Sequence, residues 1–394
     1  MKITGIICEF NPLHNGHAYL LRQAQETVVC VMSGNSTQRG EFAVTDKYSR
    51  AEAALKCGAD LVLELPFPWC SGSARYFART GVQILDAVGA DTLLFGSECG
   101  DIEKLTQAAE CVCGREFEEK YSQACGSFGR NTAAYLNTLF SLCGFSAKSN
   151  DILGIEYIRE LINSHSKIRP HTVARKGTDY RSSELTDGEL PSATALRTRI
   201  SSPQNAAYMP KASYDILRRE IELGNAPADM ERIGDAILAF FRLHEPKYFT
   251  DNEIAETGAG IANLLCRAAR ESRSFSEMLE RAATKSYTNS RIRRTLLYCM
   301  TGVRYADLDE SPAYVNLLAA NSAGRELLGA LRSRKDIPIK ILTKPSDCDS
   351  LSGRAKRQAE LAYKLEALYT LSMENHRTAG DVLRHSPFIE SELG

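Results

Sequence analysis

The 394-residue chain has no uninterrupted apolar run near the roughly 18–20 residues that a membrane-spanning helix requires. Its start, Met1 to Cys8, meets Glu9 before an apolar core of signal-peptide length can build up. A cytoplasmic protein away from membranes is therefore expected. No CxxC pair occurs among the 12 cysteines, and the only close pair is Cys111 and Cys113. That scatter excludes a zinc ligand set of the usual spacing, so no metal site is expected and the thiols read as reduced. Neither charge sign dominates, with 48 Lys and Arg against 49 Asp and Glu. Contact with nucleic acid must then come from a local basic patch rather than a global field. Internal repeats and low-complexity segments are absent. What is present, 43% hydrophobic and 25% charged residues, is the composition of a folded chain with about two to three domains.

Short apolar runs alternate with helical stretches through the first part of the chain. Ile3–Glu9, Thr27–Met32, Asp60–Leu65, Asp91–Gly96 and Ile168–Val173 read as buried strands. His17–Glu26, Lys47–Cys57, Ser73–Ala87 and Asp151–Ile162 read as the helices between them. Such repetition implies a parallel sheet with crossover helices. The polar stretch Ser201–Asn205 looks like a linker. Beyond it the pattern turns helical at Asp229–Leu243, Gly258–Arg270, Phe275–Thr284, Arg291–Met300, Ala319–Arg332 and Gly353–Ser372, with one strand-like run at Ile337–Leu342. Residues 1–205 are thus expected as an α/β domain and 206–394 as a mainly helical one.

The most informative segment is Glu9-Phe10-Asn11-Pro12-Leu13-His14-Asn15-Gly16-His17. It follows the first strand and opens the first helix, where open parallel sheets bind ligands. A helix start there offers unpaired N–H groups and a positive dipole end to a phosphate. His14 and His17 can both face that anion, and Gly16 has no side chain to keep a ribose or base away. The bland alternative is two histidines that only cap a helix. This HxGH spacing is that of nucleotidyltransferases, which bring about in-line attack on the α-phosphorus of a nucleoside triphosphate. Histidine N–H donors stabilise the charge that builds on the phosphoryl oxygens. Gly96 ends the fourth strand, again at the carboxyl edge, and reads either as a close-approach site or as a turn. Ser192 and Arg197, at the start of a short helix after Pro191, suit a triphosphate tail or an ordinary cap. The Gln38-Arg39-Gly40-Glu41 loop and Lys47 follow the second strand and carry only a weak signal.

The segments CEFNPLHNGH (8–17), MSGNSTQRGEFAVTDKYSRAEAAL (32–55), GADLVLELP (58–66), FGSE (95–98), NDILGIEY (150–157), VARKGTDY (173–180), SRIRRTLLYCMTGV (290–303) and LTKPSD (342–347) resemble the bacterial tRNA(Met) cytidine acetate ligase family. The resemblance implies a Rossmann-like α/β nucleotidyltransferase fold of the HUP type, followed by a mainly α-helical C-terminal domain. It implies an enzyme that consumes ATP to activate acetate as acetyl-adenylate and then acetylates the wobble cytidine of elongator tRNA(Met). It places Ile7, Cys8, Glu9, Phe10, Asn11, Pro12, Leu13, His14, Asn15, Gly16, His17, Ala18, Tyr19 and Leu20 around ATP, with His14 and His17 catalytic. Gly96, Asn150 and Arg175 match the family's further ATP-contacting positions. Read from spacing alone, Asn150 is instead a helix N-cap. Ala193 stands where the wider superfamily often has a serine, so one phosphate contact is absent. ATP usually arrives with Mg²⁺, although no acidic pair to hold the ion stands out.

In Ser290–Met300, helical spacing puts Ile292, Leu296 and Cys299 on one face and Arg291, Arg294 and Tyr298 on the other, with Arg293 at the flank. An outer face of that kind suits tRNA phosphates, or is simply solvated. Two other functions stay open on these residues: adenylylation of a small phosphorylated metabolite, and non-catalytic nucleotide or RNA binding.

Overall fold

The computed structural model describes residues 1–126, 131–175, 193–258, 260–284, 287–334 and 337–390. Five parallel strands form the heart of the sheet: β1 (Ile3–Cys8), β2 (Thr27–Ser33), β3 (Leu61–Leu65), β4 (Thr92–Ser97) and β5 (Arg169–Ala174). Their order in space is β5-β4-β1-β2-β3. The order reverses between β1 and β4, which opens a crevice above the carboxyl end of β1. Alternate residues of each strand go to opposite faces. Ile6, Cys30 and Met32 pack with Leu21, Ala51 and Ala54 from the helices Asn15–Gln23 and Lys47–Lys56. Ile7, Val29, Val31 and Leu63 pack on the other face with Val82, Leu85 and Ile158 from the helices Ala74–Val88 and Ser149–Asn163.

All five expected strands are present within a residue or two. The C-terminal half departs from its expected pattern. Tyr314–Ala320, which drew no strand expectation, is β6 and runs antiparallel to β3, with Leu61 opposite Ala320. The helix expected at Ala319–Arg332 accordingly begins at Ser322. The run Tyr-Val-Asn-Leu-Leu-Ala-Ala is short and almost wholly buried, so its periodicity cannot separate strand from helix. The open edge of β3 decides it. β7 (Lys340–Leu342) and β8 (Phe388–Ile389) pair with β6 and complete the sheet.

The remaining helices, among them Gly234–Leu243, Ile261–Glu271, Phe275–Ala282, Asn289–Thr301 and Gly353–Tyr369, pack on this frame. One hydrophobic cluster runs from Ile3 through Phe241, Leu265 and Leu296 to Met373. Hydrogen bonds that tie the halves together include those from Trp69 Nε1 to the Leu308 carbonyl (3.0 Å), from Tyr298 Oη to that of Ser71 (2.9 Å) and from Tyr369 Oη to that of Ala43 (3.0 Å). Sheet and core thus both cross residue 205. All twelve cysteines are free, and no helix among the described residues is long and apolar enough to cross a membrane.

Candidate active site

The chain leaves β1 through Phe10, a buried non-glycine residue at φ +47°, a strained conformation of the sort that collects at functional sites. Ile7, Phe10, Leu13 and Ala18 are buried in the core, and Cys8 and Leu20 pack against it. Tyr19 is half-buried. Their packing anchors the loop to the sheet. The polar residues fix its shape. Glu9 Oε1 accepts the Gln38 N–H (2.7 Å), and Asn11 Oδ1 accepts the Val44 N–H (2.8 Å). Asn15 Nδ2 donates to the Ala207 carbonyl (3.1 Å), and the Leu13 carbonyl accepts from Ser213 Oγ (2.8 Å). The buried Arg50 guanidinium donates to the carbonyls of Glu9 (2.6 Å), Ser33 (3.1 Å), Gly34 and Thr45 (3.1 Å). It clamps the ends of β1 and β2 together, a role that spacing alone did not reveal, although Arg50 lies within the 32–55 motif.

His14 and His17 do cap the helix that starts at Asn15. His14 Nδ1 accepts the Gly16 N–H (3.0 Å), and His17 Nδ1 accepts the His14 N–H (3.4 Å). The rings stack with centroids 3.7 Å apart, and Phe10 meets the His17 ring edge-on at 5.2 Å. The cap does not exhaust them. With Nδ1 accepting, the neutral ring carries its proton on Nε2. In His14 that Nε2–H is buried and has no partner, in a residue only 4% exposed. Burial, helped by the nearby Arg175 and Arg197 charges, lowers the His14 pKa to about 3. Burial, with His14 and Arg175, holds His17 well below its usual value against an opposing backbone hydrogen bond at Pro12. Both rings are neutral N–H donors at ordinary pH. Gly16 has a different reason from the expected one, since a Cβ there would lie 2.9 Å from His14 Cε1.

Beside this loop the structure assembles Gly96, Asn150 and Arg175. A Cβ at Gly96 would sit 3.3 Å from Arg175 Cγ, so the glycine lets the arginine stem cross β4. Arg175 Nη1 lies 3.4 Å from Asn150 Oδ1, and its side chain is exposed. Asn150 is not the N-cap; it is the second residue of its helix. Glu98 takes the capping role across space, accepting from the N–H groups of Asn150 (3.0 Å) and Asp151 (2.9 Å) and from Asn150 Nδ2 (2.6 Å). Asp151 in turn accepts the Glu98 and Cys99 N–H groups (2.9 and 3.0 Å). Both acids lie inside the FGSE and NDILGIEY segments, the only signal that could have found them.

Arg197 reaches the same region but is engaged there: it donates to the Asn11 carbonyl (3.1 Å) and lies 3.5 Å from Glu41. Ser192 lies outside the described residues. Glu41 also pairs with Arg293 at 2.9 Å, and Gly40, at φ +72°, abuts the Arg294 backbone, where a Cβ would come within 2.5 Å of the nitrogen. The weakly signalled 38–41 loop is therefore the contact between the loop after β1 and helix Asn289–Thr301. The basic outer face expected on that helix is not formed. Tyr298 is fully buried, Arg294 pairs with Glu256 at 3.4 Å, and Arg291 lies over the Tyr287 ring at 5.0 Å. The helix is covered on more sides than its own periodicity could register.

Lys47, Glu64 and Glu366 form a second buried polar group farther along the edge. Lys47 Nζ sits 2.9 Å from Glu64 Oε1 and 3.1 Å from Glu366 Oε1. Asn316 donates to Glu64 (2.6 Å), and Asn35 donates to Glu366 (2.6 Å) while accepting the Lys47 N–H (2.6 Å). Burial opposes the Lys47 charge, but the two carboxylates win and raise its pKa well above the usual value. No group of three or more His, Cys, Asp or Glu side chains that could hold a metal occurs among the described residues.

A family model described as HIGH Nucleotidyl Transferase matches residues 1–381. The tRNA(Met) cytidine acetate ligase of Acetivibrio thermocellus is 34% identical over 95% of this chain and 96% of its own. That of Thermotoga maritima is 34% identical over 98% of this chain and 100% of its own. Crystal structures of Thermotoga maritima TmcAL superpose with a TM-score of 0.89 for the apo form and 0.87 for the form bound with alpha-thio ATP. Both are 32% identical and cover 99% of this chain and 100% of theirs.

Proposed function

This chain belongs to the tRNA(Met) cytidine acetate ligase family of HIGH nucleotidyl transferases, and from that premise we propose that it joins acetate to the wobble cytidine of elongator tRNA(Met) at the expense of ATP. An acetate oxygen attacks the α-phosphorus in line, and pyrophosphate leaves with the electron pair of the broken P–O bond. The cytidine exocyclic amine then attacks the acetyl carbonyl, loses a proton and expels AMP, leaving N4-acetylcytidine. The observation that carries this reading is the buried, unpartnered Nε2–H of His14 at the reversal point of the strand order.

In this reading His14 and His17 donate to phosphate oxygens that gain charge in the transition state, and they need no proton transfer to do so. Neutral rings suit the task, because an Nε2–H fixed by a backbone bond on Nδ1 requires no reorganisation. Arg175 and Asn150 receive the nucleotide from the β4 side, and Arg197 sets the far wall through Asn11 and Glu41. ATP comes as substrate, with any Mg²⁺ carried on its phosphates. Residues 1–205 supply the adenylation site and 206–394 the tRNA contact. Work on tRNA, the activity named for its relatives, supports a cytoplasmic location.

Incubation with ATP, acetate and a tRNA(Met) transcript, followed by nucleoside mass spectrometry, tests the reading. Acetylcytidine is expected, and it should vanish when the wobble cytidine is replaced by uridine. Adenylylation of a small phosphorylated metabolite with no acetylcytidine would favour transfer to that other class of acceptor.

A further inference from the structure

The LTKPSD segment, Leu342–Asp347, has no part in the site just described, and it lies in the middle of an unusual tract. Residues 332–357 hold eight Lys or Arg and three Asp, whereas the rest of the chain holds 40 and 46. A chain that is acidic elsewhere concentrates a net charge of +5 in this one stretch.

Side-chain contacts draw described residues of the tract together. Arg332 Nη2, at the end of helix Ser322–Arg332, lies 3.4 Å from Thr343 Oγ1. Lys340 Nζ donates to Ser350 Oγ (2.8 Å). Asp347 accepts the N–H groups of Thr343 and Lys344 (2.9 and 3.0 Å), so this acid is committed to the turn. Arg357 is neutralised by Asp307 at 2.9 Å. Arg354 and Lys356 follow at the start of helix Gly353–Tyr369, both exposed and without an ion-pair partner among the described residues.

We infer that this surface binds RNA phosphates, an inference that rests on the proposed ligase reading and supplies its tRNA with a second footing. Three observations favour RNA. The charge is complementary to a phosphate backbone. Hydroxyls at Thr343, Ser346, Ser350 and Ser352 are interleaved with the cations, the mixture that meets phosphate and sugar. No large apolar residue is exposed between 332 and 357 among the described residues, which removes the apolar anchor a membrane surface would need. Lysines on an edge strand also deter sheet-to-sheet pairing, and that explains Lys340 alone. Arg354 and Lys356 stand on a helix.

The position fits as well. Tyr314 pairs with Lys340, and Asn316 reaches Glu64 near the carboxyl end of β3, so the tract begins at the edge that carries His14. β7 is four strands from β1, about 19 Å at roughly 4.8 Å per strand. That offset lets one folded RNA lie on the basic surface while a single base enters the crevice.

The test is the triple variant Lys344→Gln, Arg354→Gln, Lys356→Gln in the full chain, with Lys344→Arg, Lys356→Arg as the charge-preserving control. tRNA(Met) binding is measured across a salt series, and acetate-dependent ATP–pyrophosphate exchange is measured alongside. The triple variant should bind about tenfold more weakly at physiological salt. Its dependence of log K on log salt should be shallower by about two to three, at roughly 0.7–0.9 for each phosphate that is no longer neutralised. Exchange should stay at the wild-type rate, and the arginine control should bind as wild type. Unchanged affinity and slope would overturn the surface. So would loss of exchange together with binding, which would mark a folding defect. Wild-type protein without acetate-dependent exchange would instead overturn the ligase reading, and the binding comparison would still decide the surface.

Discussion

Two buried polar groups lie along the carboxyl edge of one sheet, and they differ in what they leave unused. In the Lys47–Glu64–Glu366 group every charged head has partners: the ammonium meets two carboxylates, and Asn35 and Asn316 fill in around them. In the His14–His17 group the Nδ1 atoms are consumed by the helix cap, and the His14 Nε2–H is left buried with none. A buried donor without a partner costs on the order of 1–3 kcal/mol, so it persists where something outside the chain supplies the acceptor. The closed group holds the two halves together. The open one waits for a ligand.

Lys47→Met should give the largest effect and act on the closed group alone. It leaves Glu64 and Glu366 buried without their cation, a loss of about 3–5 kcal/mol. Urea unfolding would show it, and a variant as stable as wild type would erase the distinction. His17→Ala and His14→Ala should do the reverse. Turnover should fall roughly 10²–10³-fold, the effect of removing one preorganised donor, while stability falls only by the roughly 1 kcal/mol of a lost helix cap. Arg175→Ala comes next, weakening ATP binding roughly ten- to a hundredfold in calorimetry with an unchanged Tm, since its side chain is exposed.

A further effect is in pH dependence. An unfolded His14 titrates near its ordinary value of about 6.5, while the folded one does so at about 3. Between these pH values the unfolded chain binds a proton that the folded chain does not, so stability falls as pH drops through that window. His14→Asn should flatten that part of the curve. Urea midpoints from pH 7 to pH 4 would measure the difference between the two slopes.

The contrast also shows what sequence can reveal. The loop from Glu9 to His17 is contiguous, and its function is written in local spacing, so His14, Gly16 and His17 stand out directly. The five parallel strands were legible for a like reason, each being a short buried run between turns. The closed group was not legible, because Lys47 and Glu366 are 319 residues apart and only the packing of helix Gly353–Tyr369 unites them. β6 was missed because Tyr314–Ala320 becomes a strand only through the free edge of β3. Tyr298 was misplaced because its hydroxyl serves the Ser71 carbonyl from the other half, a contact that helical periodicity cannot register. Asn150 read as a cap because the true acceptor, Glu98, is 52 residues away.

Exchange of labelled pyrophosphate into ATP, with and without acetate, in wild type and His14→Ala, tests most directly whether the unpartnered Nε2–H is held for the α-phosphate. The account predicts exchange in wild type only when acetate is present, and a loss of at least about a hundredfold in the variant at a temperature where both are folded. Wild-type exchange rates in His14→Ala would contradict it.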